Sequence, residues 1–327
     1  MSSLRSSSSS QDQQTLPQPK PLEEGEGVKR VILVFVDGFG LGRADKESNP
    51  IFRYRFPGLE RDLGPFFEME LGQYRRKEKG ILLSIDACLG VEGLPQSATG
   101  TAALLCGRNF PQMTGKHLPG LPNSSLRELI AEDNLLLRLK NKGISAVFAN
   151  AYRKGRLTKY KRKRPSVTTV VAQSAMDYLY DLDHLREGGA VYHDIDNSTL
   201  ILQGYEVKYI TPRKAGENLL AISRNYSFTL FEFFQTDLVG HSRDMYMAGK
   251  ILFKLSEFIG GMADHLLEDT ALIMASDHGN FEDLSVNGHT HNPVPLAIIG
   301  PQPLMDLALD RVGDITHIAG LVEEWLG

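Results

Sequence analysis

Three carboxylates in this chain each stand at the end of an apolar run: Asp37 closes VILVFVD, Asp237 closes FTLFEFFQTD and Asp277 closes TALIMASD. Histidines sit close by. His278 follows Asp277 directly, His241 comes four residues after Asp237, and His289 lies in NGHTHNPVP. Aspartate and histidine together are a donor set for borderline divalent cations such as zinc or manganese. One more residue could react. Ser97 opens the small-residue stretch SATGTAALLC, where a helix N-terminus offers free N–H groups to a phosphate. A metal beside the hydroxyl would lower its pKa and make it a nucleophile.

Each piece also has a plain structural reading. A strand-terminal aspartate serves equally well as a turn residue or helix cap. Ser97 is a natural N-cap for Ala98 to Cys106. Asp237 and His241 share a face only if their segment is helical. Thr99 and Thr101 are rival hydroxyls that fall inside the helix. The joint pattern outweighs these readings, because chance would rarely put every carboxylate at an equivalent strand end.

The elements that must position these groups follow from the hydrophobic pattern. Val31 to Val36 is a short continuous apolar run, which suits a central parallel strand covered on both faces. ILLSID, ISAVFANA, FTLFEFF, TALIMAS and PLAIIG read as further strands, alternating with helical stretches. SLRELIAEDNLLLRLKNKG reads as one helix stopped by Gly143, and Thr211-Pro212 starts another. Thr316 is expected to cap a final amphipathic helix. This order predicts an α/β fold: a doubly wound, mostly parallel sheet with helices on both faces, plus a small inserted cap. In such sheets ligands bind beyond the carboxyl ends of the strands. Residues 28–152 and 211–327 are assigned to the core. Residues 153–210, with β-like stretches GGAVYHDI and GYEVKYI, are assigned to the cap or insertion.

Composition narrows the classes. Of 327 residues, 36 are basic and 40 acidic, for a net charge of −4. That balance gives no global pull toward nucleic acid. No apolar run is long enough to span a bilayer. Residues 1–27 are rich in Ser, Gln, Pro and Glu, with no apolar segment of the secretory kind, and read as a disordered tail. Two cysteines, Cys88 and Cys106, read as reduced buried thiols, which fits a cytoplasmic protein. His184, His193, His265 and His317 have no ligand-like surroundings and are assigned surface or structural roles. Trp325 reads as a packing anchor.

Taken together, FVDGFG, SATGTAALLCG, TDLVGH and SDHGNFED…GHTHNPVP resemble the metalloenzyme branch of the alkaline phosphatase superfamily, which includes cofactor-independent phosphoglycerate mutase and phosphopentomutase. SDHGN followed by HTHNPVP is the most specific part. The resemblance covers about residues 28–150 and 211–327. It implies two divalent metal ions, manganese or zinc, with magnesium also accepted. One would be held by Asp37, Ser97, Asp277 and His278, the other by Asp237, His241 and His289. His289 is preferred to His291 because of its place before Asn-Pro-Val-Pro. Ser97 would be the nucleophile, and Asn280 and Glu282 would orient ligands.

The chain departs from that pattern between Ser97 and Asp237, where the mutases carry a large transferase insertion and this sequence is short. The arginines that clamp substrate in the mutases cannot be mapped. The expected activity is therefore phosphoryl transfer through a phosphoserine on a small anionic phosphate ester, with hydrolysis favoured over a mutase outcome. A non-catalytic metal-containing binding protein is a third reading, and a sulfatase lacks its C/S-x-P-x-R sequence here. Substrate contacts are assigned to Arg108, Lys116, His117 and Arg153. The basic run from Arg153 to Arg164 is a solvated loop or an anion-holding one; nucleic acid is the weaker use for it.

Overall fold

The computed structural model describes residues 29–153 and 165–327. The expected tail and the basic run beyond Arg153 lie outside the described residues. Seven strands form one sheet: β1 (Arg30–Val36), β2 (Tyr74–Arg76), β3 (Gly80–Ile85), β4 (Ala146–Phe148), β5 (Phe228–Phe233), β6 (Thr270–Ala275) and β7 (Val294–Ile299), in the order β2-β3-β7-β6-β1-β5-β4. The pairs β4–β5, β5–β1 and β1–β6 are parallel, and those through β7 and β2 are antiparallel. β4, β5, β1, β6 and β3 thus point one way, and β7 and β2 the other. The sheet is mostly parallel, as the alternation of strands and helices predicts.

Strand β1 explains why its sequence has no polar alternation. Val31, Leu33 and Phe35 enter one core, Ile32, Val34 and Val36 the other. Helices cover both faces. Ser97–Cys106, Ser124–Glu132, Leu135–Asn141, Val167–Ala175 and His317–Leu326 lie on the first, and Pro212–Ser223 and Met245–Ala263 on the second. Full burial of one Leu, Ile or Phe side chain contributes about 1.5–3 kcal/mol, so such two-faced strands dominate the stability. The exposed edge strand β2 is short and carries Arg75 and Arg76, charges that discourage edge-to-edge pairing.

Three local expectations need correction. The stretch 125–143 is two helices, because the side chain of buried Asn134 caps a second one at the Leu137 N–H and donates to Ile130 O and Ser174 Oγ. Thr316 precedes the last helix but makes no side-chain cap; its hydroxyl donates to Asp314. The β-like stretches of the middle segment form no strands among the described residues. Val191 makes a lone bridge to Asn150, and 198–202 is a short helix. Val167–Ala175 is also helical, capped by Ser166, and buries Val170 and Val171 in the core on the Ser97 side.

Candidate metal centre and adjoining cavity

β5, β1 and β6 are parallel neighbours in register, so their carboxyl ends share one edge. Asp37 is the first residue after β1. Asp277 follows β6 by two residues, and Asp237 and His241 lie on the helix Gln235–Ser242 that begins just after β5. Helical spacing brings both of these toward one point. Opposite them stands Ser97, first residue of its helix.

The groups form two adjoining clusters. In the inner one His278 Nε2 is 3.0 Å from Ser97 Oγ, 3.2 Å from Asp37 Oδ1 and 3.7 Å from Asp277 Oδ2. In the outer one Asp237 Oδ2 lies 3.4 Å from His241 Nε2, Asp237 Oδ1 lies 3.5 Å from His289 Nε2, and the two imidazole nitrogens are 3.3 Å apart. Those spacings match the edge of a tetrahedron, about 3.3 Å, drawn around a cation with bonds of about 2.0–2.1 Å. His278 also lies within metal-binding reach of Asp237 and His289, and its ring stacks on His289 with centroids 3.8 Å apart. It stands between the clusters.

The supporting bonds favour a cation too. His289 Nδ1 donates to the Pro95 carbonyl at 2.7 Å. That leaves Nε2 turned to the cluster, where it donates to Asp237 while protonated and can ligate a cation once that proton is lost. Asp37 Oδ1 is buried without a hydrogen bond of good geometry. Asn280 Nδ2 donates to Asp237 Oδ1 at 2.7 Å. Fully buried Glu282 accepts from the backbone N–H groups of Gly40 (3.0 Å) and Asn280 (2.8 Å), from Asn292 Nδ2 (2.9 Å) and from the Thr290 hydroxyl. Glu282 thereby ties the Asp37 loop to the loop bearing His289. Two glycines allow this closeness. Gly38 has φ +69° with Asp237 Oδ1 only 2.8 Å from where a Cβ would stand, and a Cβ on Gly240 would lie 2.5 Å from the Asn280 amide.

Charge differs between the clusters. Burial, then the facing Asp277 carboxylate, holds Asp37 well above the usual carboxylate range. Burial would lower His278, but Asp277 and Asp37 raise it to about 10. Burial would raise Asp237, yet hydrogen bonding to His289 and the His278 charge bring it down to about 2. Carboxylates that crowd an imidazolium in this way form a site whose charge a divalent cation would balance. The donor set therefore fits divalent metal.

A cavity of about 800 Å3 opens from Asp37, Ser97 and Asp237. Arg153 alone of the four expected substrate residues lines it, with its guanidinium on Gln203 Oε1 and near the Tyr205 ring. Arg108 sits beyond the far end of the Ser97 helix against Phe110, Lys116 is exposed, and half-buried His117 turns to Val91 O. Sequence reasoning missed three contributors. Thr101, set aside as an inner hydroxyl, donates to Asp277 Oδ2 at 2.7 Å, a role its spacing one helical turn after Ser97 allowed. His193, assigned a surface or structural role, lines the cavity, as does Glu232, hidden within an apolar strand.

The donor set and the fold point toward divalent-metal chemistry, and the comparisons find metal-dependent relatives. The metalloenzyme superfamily profile matches residues 166–327. A 2,3-bisphosphoglycerate-independent phosphoglycerate mutase of Desulforudis audaxviator is 28% identical over 153 residues, 43% of this chain and 30% of that protein. Its counterpart 1 from Methanothermobacter thermautotrophicus is 31% identical over 99 residues, 30% of this chain and 21% of that protein. The chain thus matches less than a third of these relatives' length. The structure of the PH0037 protein from Pyrococcus horikoshii shares the fold, with TM-score 0.51 and 16% identity over 83% of this chain and 85% of that one. The metalloenzyme superfamily match over residues 166–327 and the mutase relatives support the metalloenzyme branch of the alkaline phosphatase superfamily. Among the described residues no helix is long and apolar enough to cross a membrane.

Proposed function

We propose that this chain is a phosphatase that hydrolyses a phosphate monoester through a phosphoserine on Ser97. The observation that carries this reading is Ser97 Oγ, 3.0 Å from His278 Nε2 at the head of a helix and on the wall of the cavity. Asp37, Asp277 and His278, with Ser97, would hold one divalent cation; Asp237, His241 and His289 would hold the other. Bound there, manganese, zinc or magnesium would supply Lewis-acid stabilisation of charge on phosphorus and its apical oxygens.

The chain's own groups do the rest. The positive end of the helix Ser97–Cys106 favours the phosphoryl group's negative charge beside Ser97. Ser97 Oγ, its proton lost, attacks phosphorus in line; the Ser97 O–P bond forms as the P–O ester bond breaks, and the leaving oxygen takes up a proton to depart as the alcohol. Water then cleaves the phosphoserine. Thr101 fixes the Asp277 carboxylate, and Asn280 and Glu282 hold the outer cluster and its loop in place. The two unpaired thiols suit a reducing cytoplasm.

The second reading is a phosphomutase, supported by the mutase relatives. A mutase must hold its substrate while the phosphoryl group is returned to a different oxygen. Among the described residues Arg153 is the one arginine or lysine lining the cavity, a thin clamp for that task, so hydrolysis is favoured. The test is phosphate release from a panel of phosphomonoesters by metal-depleted protein reloaded with Mn, Zn or Mg. Release that requires metal and Ser97 supports the phosphatase. Isomerised phosphoester without free phosphate supports the mutase, and metal binding without either reaction returns the chain to the binding-protein class.

A further inference from the structure

The cavity beside Ser97 carries groups that phosphoryl transfer itself does not use. Building on the phosphatase reading, we propose that the substrate is a phosphate monoester whose organic part is an uncharged ring with a hydrogen-bond donor on its edge, and that Glu232 selects it.

Size comes first. At about 800 Å3 the cavity falls in the range, about 300–1,000 Å3, that encloses whole ring-bearing organic molecules. A three-carbon phosphoacid would leave most of it unfilled. The walls are aromatic: Tyr152, Tyr192, Tyr205 and Phe234 all line the space. The His193 ring stacks on Phe234 with centroids 4.6 Å apart and planes inclined at 30°, so that wall already holds one ring against another. Aromatic walls favour a planar partner through offset or edge-to-face contacts.

Glu232 supplies the polar anchor. It is the next-to-last residue of β5, in register with Phe35, two residues before Asp37. Its neighbours in alternation, Phe231 and Phe233, enter the core on the far face, so Glu232 points to the Ser97 side. Asn150 pins its backbone, donating to Glu232 O and accepting from Glu232 N, both at 2.8 Å. Thr168 Oγ1 donates to Oε2 at 2.7 Å. Among the described residues no hydrogen bond reaches Oε1, and the carboxyl borders the cavity. A fixed acceptor in an aromatic-walled space pairs with an N–H or O–H on a ring edge.

Charge disfavours the alternative. Burial pushes Glu232 up to about 7, so near neutrality about half of these groups are ionised, and a substrate carboxylate meets a like charge increasingly as pH rises past that value. Arg153, the guanidinium on this wall, gives one of its five donors to Gln203 Oε1. Nucleoside monophosphates with an amino-bearing base are one chemical class with the ring, the donor edge and the single phosphate ester.

The test compares kcat/KM of the metal-loaded full chain on a nucleoside monophosphate, phenyl phosphate, glycerol phosphate and phosphoglycerate. Binding of nucleoside and glycerol phosphonates, which a phosphatase does not cleave, is measured alongside. We expect the nucleoside ester to exceed phosphoglycerate by about tenfold or more. Glu232→Gln should lower kcat/KM on the nucleoside ester and raise it on phosphoglycerate, opposite signs that a merely structural residue would not give. Phe234→Leu should narrow the gap between phenyl and glycerol phosphate. Ser97-dependent turnover that favours the small acids, or a Glu232→Gln variant that loses both activities together, overturns the substrate class and leaves the phosphatase standing. Tight nucleoside phosphonate binding with no ester cleaved does the reverse. No binding and no turnover overturns both.

Discussion

The two halves of the metal centre use the same residue types under opposite electrostatic conditions. Asp37 is pushed upward in pKa by burial and then by the facing Asp277; Asp237, despite burial, is pulled down to about 2 by the imidazoles and the Asn280 amide it faces. Asp277 and His278 of the inner half are fully buried, whereas nearly half of the His241 side chain in the outer half is exposed. The inner half must therefore shed protons to take a cation, and the outer half is ready at neutral pH. Under the proposed phosphatase mechanism this difference suits a division of labour: the inner half would prepare the nucleophile, and the outer, more open half would meet the oxygen that leaves and the water that enters.

The sharpest break of this comparison is at Ser97. Ser97→Ala should reduce phosphate release by roughly a thousandfold or more with metal content intact, measured by steady-state kinetics beside elemental analysis. Equal turnover would remove the inner half from the chemistry. Next comes His241→Ala. Losing one of three outer ligands should drop bound metal from two equivalents to about one and slow turnover by about a hundredfold, while the inner metal stays. Simultaneous loss of both would show that the halves do not bind independently. A smaller effect is expected from Glu282→Gln. Metal affinity should fall by about 10–100-fold, the usual range for a residue that orients ligands, as read by competition with a chelator.

Per pH unit the effect is smaller, about tenfold, but it is the most diagnostic. His278 is raised to about 10 and must lose its proton to ligate. Affinity of the inner half should rise about tenfold per pH unit for one displaced proton, up to that value. Calorimetry in buffers of different ionisation enthalpy reads the released proton directly. Metal-free stability runs the other way. The contribution of the His278 cation is full below the ordinary imidazole value of 6.5 and is lost as pH rises toward about 10. Asp237, being lowered, contributes stability that is lost as pH falls toward about 2. Affinity that is flat between pH 6 and 9, on the order of three units, would contradict the assigned charges.

The metal-facing half of the molecule was readable from sequence and the cavity-facing half was not, for physical reasons. β1, β5 and β6 are buried on both faces, so each announces itself as an unbroken apolar run, and the residue types that follow point to a shared edge. Asp237 and His241 carry helical spacing openly. Arg108 was misjudged because closeness in sequence to Ser97 is undone by the intervening ten-residue helix, which carries the chain about 15 Å away. His117 lies just before the segment that returns to the site, where the Leu118 N–H meets Thr99 Oγ1 at 3.1 Å and Gly120 and Leu121 line the cavity, but its own ring turns aside to Val91 O. The alternation in GGAVYHDI looks like strand, yet Val191, Tyr192 and Ile195 are buried from loop and bridge positions. Glu232 was invisible because nothing local distinguishes a cavity-facing glutamate from a polar interruption in FTLFEFF. Its use depends on Thr168 and Asn150, which arrive from distant parts of the chain.

The central claim, that Ser97 bridges the inner half and phosphorus, is tested most directly by trapping. The metal-loaded chain is mixed rapidly with a radiolabelled phosphomonoester, quenched in acid and digested, and the labelled peptide is sequenced by mass spectrometry. The account predicts transient phosphate on the peptide containing Ser97, absent in Ser97→Ala and absent without metal. Full turnover with no labelled peptide, or label on another residue, would contradict it.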